Sequence, residues 1–202
     1  MRGSPLRLRT AVWLALATVL LAGCATRPVA PASAPVDGQR VAALQAIAGF
    51  SFRGQLAAST GEQGFSAALD WQQSAGESQA QLRGPLGMGS AQLAFGAAGL
   101  RYTGNDGQLL AGDAADVALA QLLGFAPPLA SLRYWLLGVP DPGLPADARG
   151  DAAGHVAALT QSGWQVDYAD YQPAGSAALP GRLTLQRGRL RLKLRIMNWM
   201  LP

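Results

Sequence analysis

Residues 189–197 read RLRLKLRIM, in which a leucine or isoleucine alternates with an arginine or lysine. Side chains of a β-strand point alternately to opposite faces, so this period of two predicts a strand with one apolar and one basic face. The apolar face is expected to lie in the core. The basic face is either solvated or attracts an acidic partner or anionic lipid headgroups. Arg187-Gly188 predicts a tight hairpin to a preceding strand over 182–186.

Short segments of similar character fill much of the remaining chain. Glycines separate most of them, and Asn105-Asp106-Gly107 is a strong turn signal. Consecutive short strands with tight turns are typical of an antiparallel meander. The predicted strands cover 50–56, 65–71, 78–83, 90–95, 100–103, 108–111, 155–159 and 164–171.

Three segments have helical spacing instead. Asp37 is a predicted N-cap for a helix that stops near Gly49. Asp113 is a predicted N-cap for a second helix that ends at Gly124, and residues 129–137 form a third. The fold class is therefore α+β, a curved antiparallel sheet whose apolar side is covered by the helices 113–124 and 129–137.

The N-terminus has the features of an exported lipoprotein. Three arginines precede an apolar run over 11–22, and Leu21-Ala22-Gly23-Cys24 has the small residues and the cysteine of a lipoprotein cleavage site. A short membrane anchor or a plain secretory signal is the alternative. We expect residues 1–23 to be a signal peptide, 24–36 an acylated Cys24 with a Pro/Ala-rich tether, and 37–202 a single domain. The residue after Cys24 is not Asp, which favours sorting to the outer membrane.

Composition narrows the classes of function. The chain of 202 residues has a formal charge of +4, but 3 of its 16 basic residues lie in 1–23, so the mature chain is nearly neutral. Nucleic acid is therefore not an expected partner. Cys24 is the only cysteine, which excludes an internal disulfide. Half of the residues are apolar and 14% are charged, enough for a core and an apolar cavity.

The titratable residues predict no catalytic or metal site. His155 is the only histidine, and no G-x-S-x-G motif supplies a serine nucleophile. The acidic residues are scattered near turns without the spacing of a calcium loop. We expect no metal and no cofactor. An anchored periplasmic hydrolase remains an alternative, and it would need convergent polar groups in the cavity.

The loop 84–89, GPLGMG, places two large apolar side chains between conformational breakers. Tight loops usually have polar tips. The residues alone leave two interpretations open: the loop either tucks Leu86 and Met88 inward or presents an apolar tip to a membrane.

The aromatic residues spread over the whole domain are equally open. They form an ordinary core, or they line a half-open sheet that holds lipid chains. The aromatic residues in question are Phe52, Phe65, Trp71, Phe95, Trp135, Trp164, Tyr168, Tyr171 and Trp199.

Several short motifs, in this order and behind the lipoprotein signal, resemble the LolB family of outer-membrane lipoproteins. The resemblance runs through nearly the whole mature domain. The motifs are Arg53-Gly54, Trp71-Gln72-Gln73, Pro85-Leu86-Gly87, Leu132-Arg133-x-Trp135-x-Leu137-Gly138-x-Pro140, Gln161-x-Gly163-Trp164-x-Val166-x-Tyr168-x-x-Tyr171, Leu179-Pro180, Leu192-Lys193-Leu194 and Asn198-Trp199.

The resemblance implies a fold and an activity. The fold is an incomplete, half-open antiparallel β-barrel, LolA/LolB-like, with helices over an apolar cavity. The activity is to accept acylated lipoproteins from the periplasmic carrier LolA and to insert them into the inner leaflet of the outer membrane, as a non-enzymatic monomer that faces the periplasm. The resemblance assigns membrane insertion to Leu86. Together with strand alternation, position in the family predicts an acyl-cavity lining made of Phe52, Trp71, Phe95, Trp135 and Trp164. Another outer-membrane-anchored lipid-binding or structural lipoprotein without transfer activity is the alternative.

Overall fold

Alternating apolar and polar residues build a large antiparallel sheet. The computed structural model describes residues 34–61, 63–74, 76–87 and 89–201. The strands are β1 Phe50–Thr60, β2 Gln63–Ser74, β3 Glu77–Arg83, β4 Ser90–Gly96, β5 Gly99–Thr103, β6 Leu109–Ala111, β7 Ala146–Gly150, β8 Val156–Gln161, β9 Trp164–Ala169, β10 Gln172–Ala174, β11 Ala177–Leu179, β12 Arg182–Arg187 and β13 Leu190–Met200.

Eleven of these strands form one sheet in the order β6-β5-β4-β3-β2-β1-β13-β12-β9-β8-β7, and β10 pairs with β11 separately. Strands β1 and β13, the first and last strands along the chain, are neighbours at the centre of this sheet, and Leu56 lies opposite Leu194. Within the described residues β6 and β7 remain unpaired edges, so the sheet is unclosed. The predicted α+β class with an open antiparallel barrel is confirmed.

The helices follow the predicted segments closely. Helix α1 covers Gly38–Gln45, and the side chain of its N-cap Asp37 accepts hydrogen bonds from two backbone N–H groups. It ends before the predicted Gly49. Helices α2 and α3 cover Asp113–Leu123 and Leu129–Leu136. The prediction of Asp113 as N-cap was wrong, because Gly112 occupies that position at φ 57° and Asp113 lies in the first turn.

Several strand boundaries differ from the prediction. Strand β9 ends at Ala169 because Asp170 adopts φ 56°, so the predicted strand 164–171 is too long. In the final hairpin Arg187 pairs with Leu190, which shifts the turn by one residue to Gly188-Arg189. His155 precedes β8. Strands β7, β10 and β11 lie in segments with no predicted strand.

Residues 1–33 lie outside the described residues, and with them Cys24, the predicted signal peptide and most of the tether. The end of the tether packs on the domain, since Ala34 forms a β-bridge with Gly150. In the part of the chain that is described, no helix has the length and apolar character needed to cross a membrane.

Candidate functional site

The inward face of the sheet and the helices α2 and α3 enclose a cavity of about 110 Å³. The alternation of β13 accounts for one wall, because its leucines point inward and its cations point out. The sheet supplies Leu56, Leu69, Trp71, Ala80, Leu82, Leu93, Phe95, Leu183, Leu185, Leu192 and Leu194. The helices and their connection supply Leu119, Leu123, Phe125, Pro127, Pro128, Leu129, Leu132, Trp135 and Leu136.

The cavity wall is apolar throughout. Its residues are leucine, alanine, phenylalanine, proline and tryptophan, so only the two indole N–H groups could donate a hydrogen bond. Trp135 Nε1 donates to Gln161 Oε1 at 2.7 Å. Trp71 Nε1 is buried without a partner among the described residues. An apolar cavity of this kind excludes water and favours hydrocarbon.

The structure brings three of the five predicted lining residues to the cavity. Trp71, Phe95 and Trp135 lie in its wall. Phe52 and Trp164 lie behind that wall, each 1% exposed. Phe52 stacks on Trp71 with ring centroids 6.1 Å apart, and Trp164 packs against Trp135 at 6.2 Å.

Sequence reasoning missed the larger part of the wall. Leucines of β1, β2, β3, β4, β12 and β13 and of both helices contribute most of it. The strand alternation that located the core also marks the leucines of the strands, because they lie on the same face of the sheet as the predicted aromatic residues. Aromatic size was therefore a poorer guide than strand phase.

A buried glutamine forms hydrogen bonds with the C-terminal part of helix α3 and with the segment that follows it. Gln161 is 1% exposed, and its Oε1 accepts hydrogen bonds from Trp135 Nε1 and from the backbone N–H of Asp141. Its Nε2 donates to the carbonyl oxygens of Asp141 and Leu144, at 2.9 and 3.0 Å. All four bonds are satisfied, so Gln161 fixes both a cavity-wall indole and the chain that follows α3.

The only histidine belongs to a polar cluster beside β8 that does not line the cavity. His155 Nδ1 lies 2.9 Å from Asp151 Oδ2, and its ring stacks on Tyr171 at 4.3 Å. Burial raises the pKa of the Asp151 carboxyl, but the hydrogen bonds from His155 and Ala153 outweigh it, so that pKa is lowered. Burial raises the pKa of the Tyr171 hydroxyl, which donates to Val156 O.

The loop between β3 and β4 presents Leu86 to solvent. Pro85–Gly87 forms a short 3₁₀ turn in which Leu86 adopts φ 54° and is 99% exposed. Gly84 N–H donates to Gly89 O at 3.0 Å and closes the loop. A leucine rarely adopts this left-handed conformation. The described atoms place Leu86 outward, and Met88 lies outside the described residues.

The described residues contain no group of three histidine, cysteine or acidic residues that could hold a metal ion. No titratable side chain lies in the cavity wall. The lining of the cavity suits hydrocarbon, because it offers burial and no polar groups other than two indole N–H groups.

Comparisons with known proteins agree on one family. Residues 48–199 match the family model described as "LolB: Outer membrane lipoprotein LolB". The chain is similar to "Outer-membrane lipoprotein LolB" of Nitrosococcus oceani, with 34% identity over 92% of this chain and 94% of the relative. It is also similar to the LolB of Yersinia enterocolitica, with 35% identity over 92% and 93%.

Solved structures resemble the fold at low identity. A LolA superfamily protein from Nitrosomonas europaea gives a TM-score of 0.52 with 8% identity, over 84% of this chain and 94% of that chain. A DUF1329 family protein from Desulfovibrio piger gives a TM-score of 0.53 with 7% identity, over 81% and 89%. These likenesses extend to the fold alone.

Proposed function

The chain belongs to the LolB family of outer-membrane lipoproteins, and on that premise we propose that it accepts acylated lipoproteins from the periplasmic carrier LolA and inserts them into the inner leaflet of the outer membrane. The observation that carries the proposal is the wholly apolar wall of the cavity. We further propose that the protein is a monomer, anchored through acylated Cys24, with its domain in the periplasm. It makes no covalent change in its cargo.

The energetics of acyl chains explain the need for such a cavity. Each methylene exposed to water costs about 0.8 kcal/mol, so a chain of about 15 methylenes costs about 12 kcal/mol. A lipoprotein therefore crosses an aqueous compartment only while its chains are buried. Transfer between two cavities keeps the chains covered at each step and needs no nucleotide.

The cavity is small for the proposed ligand. Its volume of about 110 Å³ is below the range of roughly 300–1,000 Å³ that ligand pockets usually have. We propose that α2 and α3 form a lid that cargo displaces from the sheet. Two features support this proposal: neither helix has a side-chain N-cap, and the Pro127-Pro128 pair separates them.

The Leu86 loop is the part of the protein proposed to release the acyl chains of the cargo into the membrane. An almost fully exposed leucine would lose water contact by entering the acyl boundary of the bilayer. We propose that Leu86 inserts there and opens a path for the acyl chains. In the turn Pro85–Gly87 this side chain lies outward.

The experiment that tests this function follows a cargo lipoprotein through two steps. LolA loaded with a triacylated lipoprotein is mixed with the mature chain, and cargo is followed by pull-down and then into liposomes. We expect cargo to move onto this protein and from it into the bilayer. If no cargo leaves a competent carrier for the folded protein, the protein is an anchored lipid-binding lipoprotein and the transfer role is wrong.

Leu86→Asp separates the two steps. We expect normal uptake of cargo and impaired insertion, because the cavity is untouched and the membrane contact is lost. Met197→Asp is the matched control: Met197 is 56% exposed on β13, away from the loop. Loss of uptake in Leu86→Asp, or equal loss of insertion in the control, would contradict the assigned role of Leu86.

A further inference from the structure

The final hairpin presents a group of cations that have no acidic partner among the described residues. Arg187, Arg189 and Arg191 are all exposed. The ion pairs among the described residues engage Arg53, Arg83, Arg101, His155 and Arg182, and none involves the hairpin. These three residues, which we call the hairpin cations, are therefore available to an external anion.

The strand register places the hairpin cations and Leu86 at the same edge of the sheet. Arg83 pairs with Ala68, Ala68 with Gln55, and Gln55 with Arg195, so these four residues form one row across the sheet. From Arg83 the chain continues in one direction into the Leu86 loop. Strand β13, followed backwards along the sequence from Arg195, runs in that same direction to Leu190 and the hairpin.

The two features are close along this edge. Strands β3, β2, β1 and β13 are consecutive in the sheet. Three spacings of about 4.8 Å separate the outer two, or about 14 Å. One bilayer surface is wide enough to meet both at once.

From this juxtaposition we infer that the hairpin cations form a second membrane contact, which binds the phosphate groups of anionic phospholipids while Leu86 enters the acyl layer. Arginine suits this role because its planar guanidinium forms paired hydrogen bonds with phosphate oxygens. An exposed leucine beside the cations favours a lipid surface over an acidic protein, which would leave that leucine in water. The inference rests on the proposed insertion of Leu86.

The combination also has a mechanical consequence. A single inserted side chain lets the domain pivot about one point. Two contacts on strands about 14 Å apart in the sheet fix the tilt of the sheet edge against the membrane. The cations thus orient the domain while the leucine penetrates.

Vesicle flotation tests the inference with the mature chain, residues 24–202, carrying Cys24→Ala so that no acyl anchor masks the contact. The chain is mixed at low salt with phosphatidylcholine vesicles, with and without phosphatidylglycerol. Arg189→Gln/Arg191→Gln removes two hairpin cations. Because each basic residue near an anionic surface contributes about fivefold to binding, we expect a loss of roughly 30-fold on anionic vesicles and none on neutral ones.

The matched control removes the same charge elsewhere. Arg149→Gln/Arg195→Gln alters two exposed arginines, one on the edge strand β7 and one about 13 Å along β13 from Arg191. It should bind anionic vesicles nearly as the wild type does. Circular dichroism verifies the fold of every variant. Equal behaviour of the hairpin and control variants would overturn the inference.

Two further arms separate this inference from the proposed function. Leu86→Asp should weaken binding to both kinds of vesicle. Uptake of cargo from the carrier without vesicles tests the proposed function alone, since that step needs no membrane contact, and its failure leaves the vesicle result standing. If the hairpin variant loses uptake and binds vesicles normally, the cations bind an acidic protein and the membrane assignment is wrong.

Discussion

Replacement of Gln161 by leucine should destabilise the domain although the two side chains have similar size. Gln161 is buried and makes four hydrogen bonds, to Trp135, to the backbone N–H and carbonyl of Asp141, and to Leu144 O. A buried hydrogen bond contributes about 1 kcal/mol net, so Gln161→Leu should lower the free energy of unfolding by about 4 kcal/mol. In a domain of this size that lowers Tm by about 12 °C.

Urea denaturation followed by circular dichroism measures this effect. Gln165→Leu is the control, because Gln165 is exposed on the neighbouring strand β9 and should change stability by less than about 0.5 kcal/mol. Gln161→Glu retains the two acceptor bonds and loses the two donor bonds. A loss below about 1 kcal/mol in Gln161→Leu would refute the idea that this side chain anchors α3.

Three other substitutions test the cavity, the backbone and the polar cluster. Ala80→Leu puts an isobutyl group into the cavity and should weaken cargo binding by about 2 kcal/mol, measured by pull-down, whereas unchanged binding would place the acyl chains elsewhere. Gly138→Ala should destabilise more than Gly188→Ala in thermal unfolding: both have positive φ, but only at Gly138 does a Cβ collide, 2.8 Å from Tyr171 Oη. The pKa of the Asp151 carboxyl is lowered in the fold. The stability that the ionised carboxylate contributes is therefore present above the unfolded pKa of about 3.9 and is lost as the pH falls through the folded pKa. Asp151→Asn should accordingly lose less stability than the wild type between about pH 5 and pH 3.

Strand alternation made most of the sheet predictable. In β13 every second residue is aliphatic, and the structure buries Leu190, Leu192, Leu194 and Ile196 while exposing the cations between them. The prediction succeeds because the alternation in the sequence and the burial in the fold assign the same residues to the inner face of the strand. Helices α2 and α3 were predictable for a similar reason: the glycines at 124 and 138 take the left-handed conformation that ends a helix.

The parts that sequence did not predict depend on contacts between distant segments. Strand β7 has only exposed or half-buried side chains before Gly150 and is defined by its pairing with β8. The short pair β10 and β11 follows from the break at Asp170, whose positive φ no sequence pattern marks. In the sequence, Gln161 is a polar residue at the end of a strand. Its buried hydrogen bond with Trp135 exists only because the fold brings α3 next to that strand end.

The cavity lining also differs from the aromatic prediction for a physical reason. Phe52 has a large ring next to Trp71 on one side and next to Trp199 on the other, with centroids 6.1 and 5.0 Å away. Rings packed in this way leave no free face, and they form a stable support. Leucine side chains in front of them leave irregular space, and that space is the cavity.

The apolar wall has a consequence for the direction of transfer. The cavity has no polar lining group other than two indole N–H groups, so it stabilises an acyl chain mainly by burying the chain from water. A bilayer provides the same burial. Under the proposed lid mechanism, an acyl chain must also displace helices that already occupy most of the space, and that displacement lowers its net affinity for the cavity. The bilayer imposes no such cost. On this proposal, cargo under a displaced lid is less stable than cargo in the membrane, so that release would proceed downhill once Leu86 and the hairpin bring the edge of the sheet to the lipid.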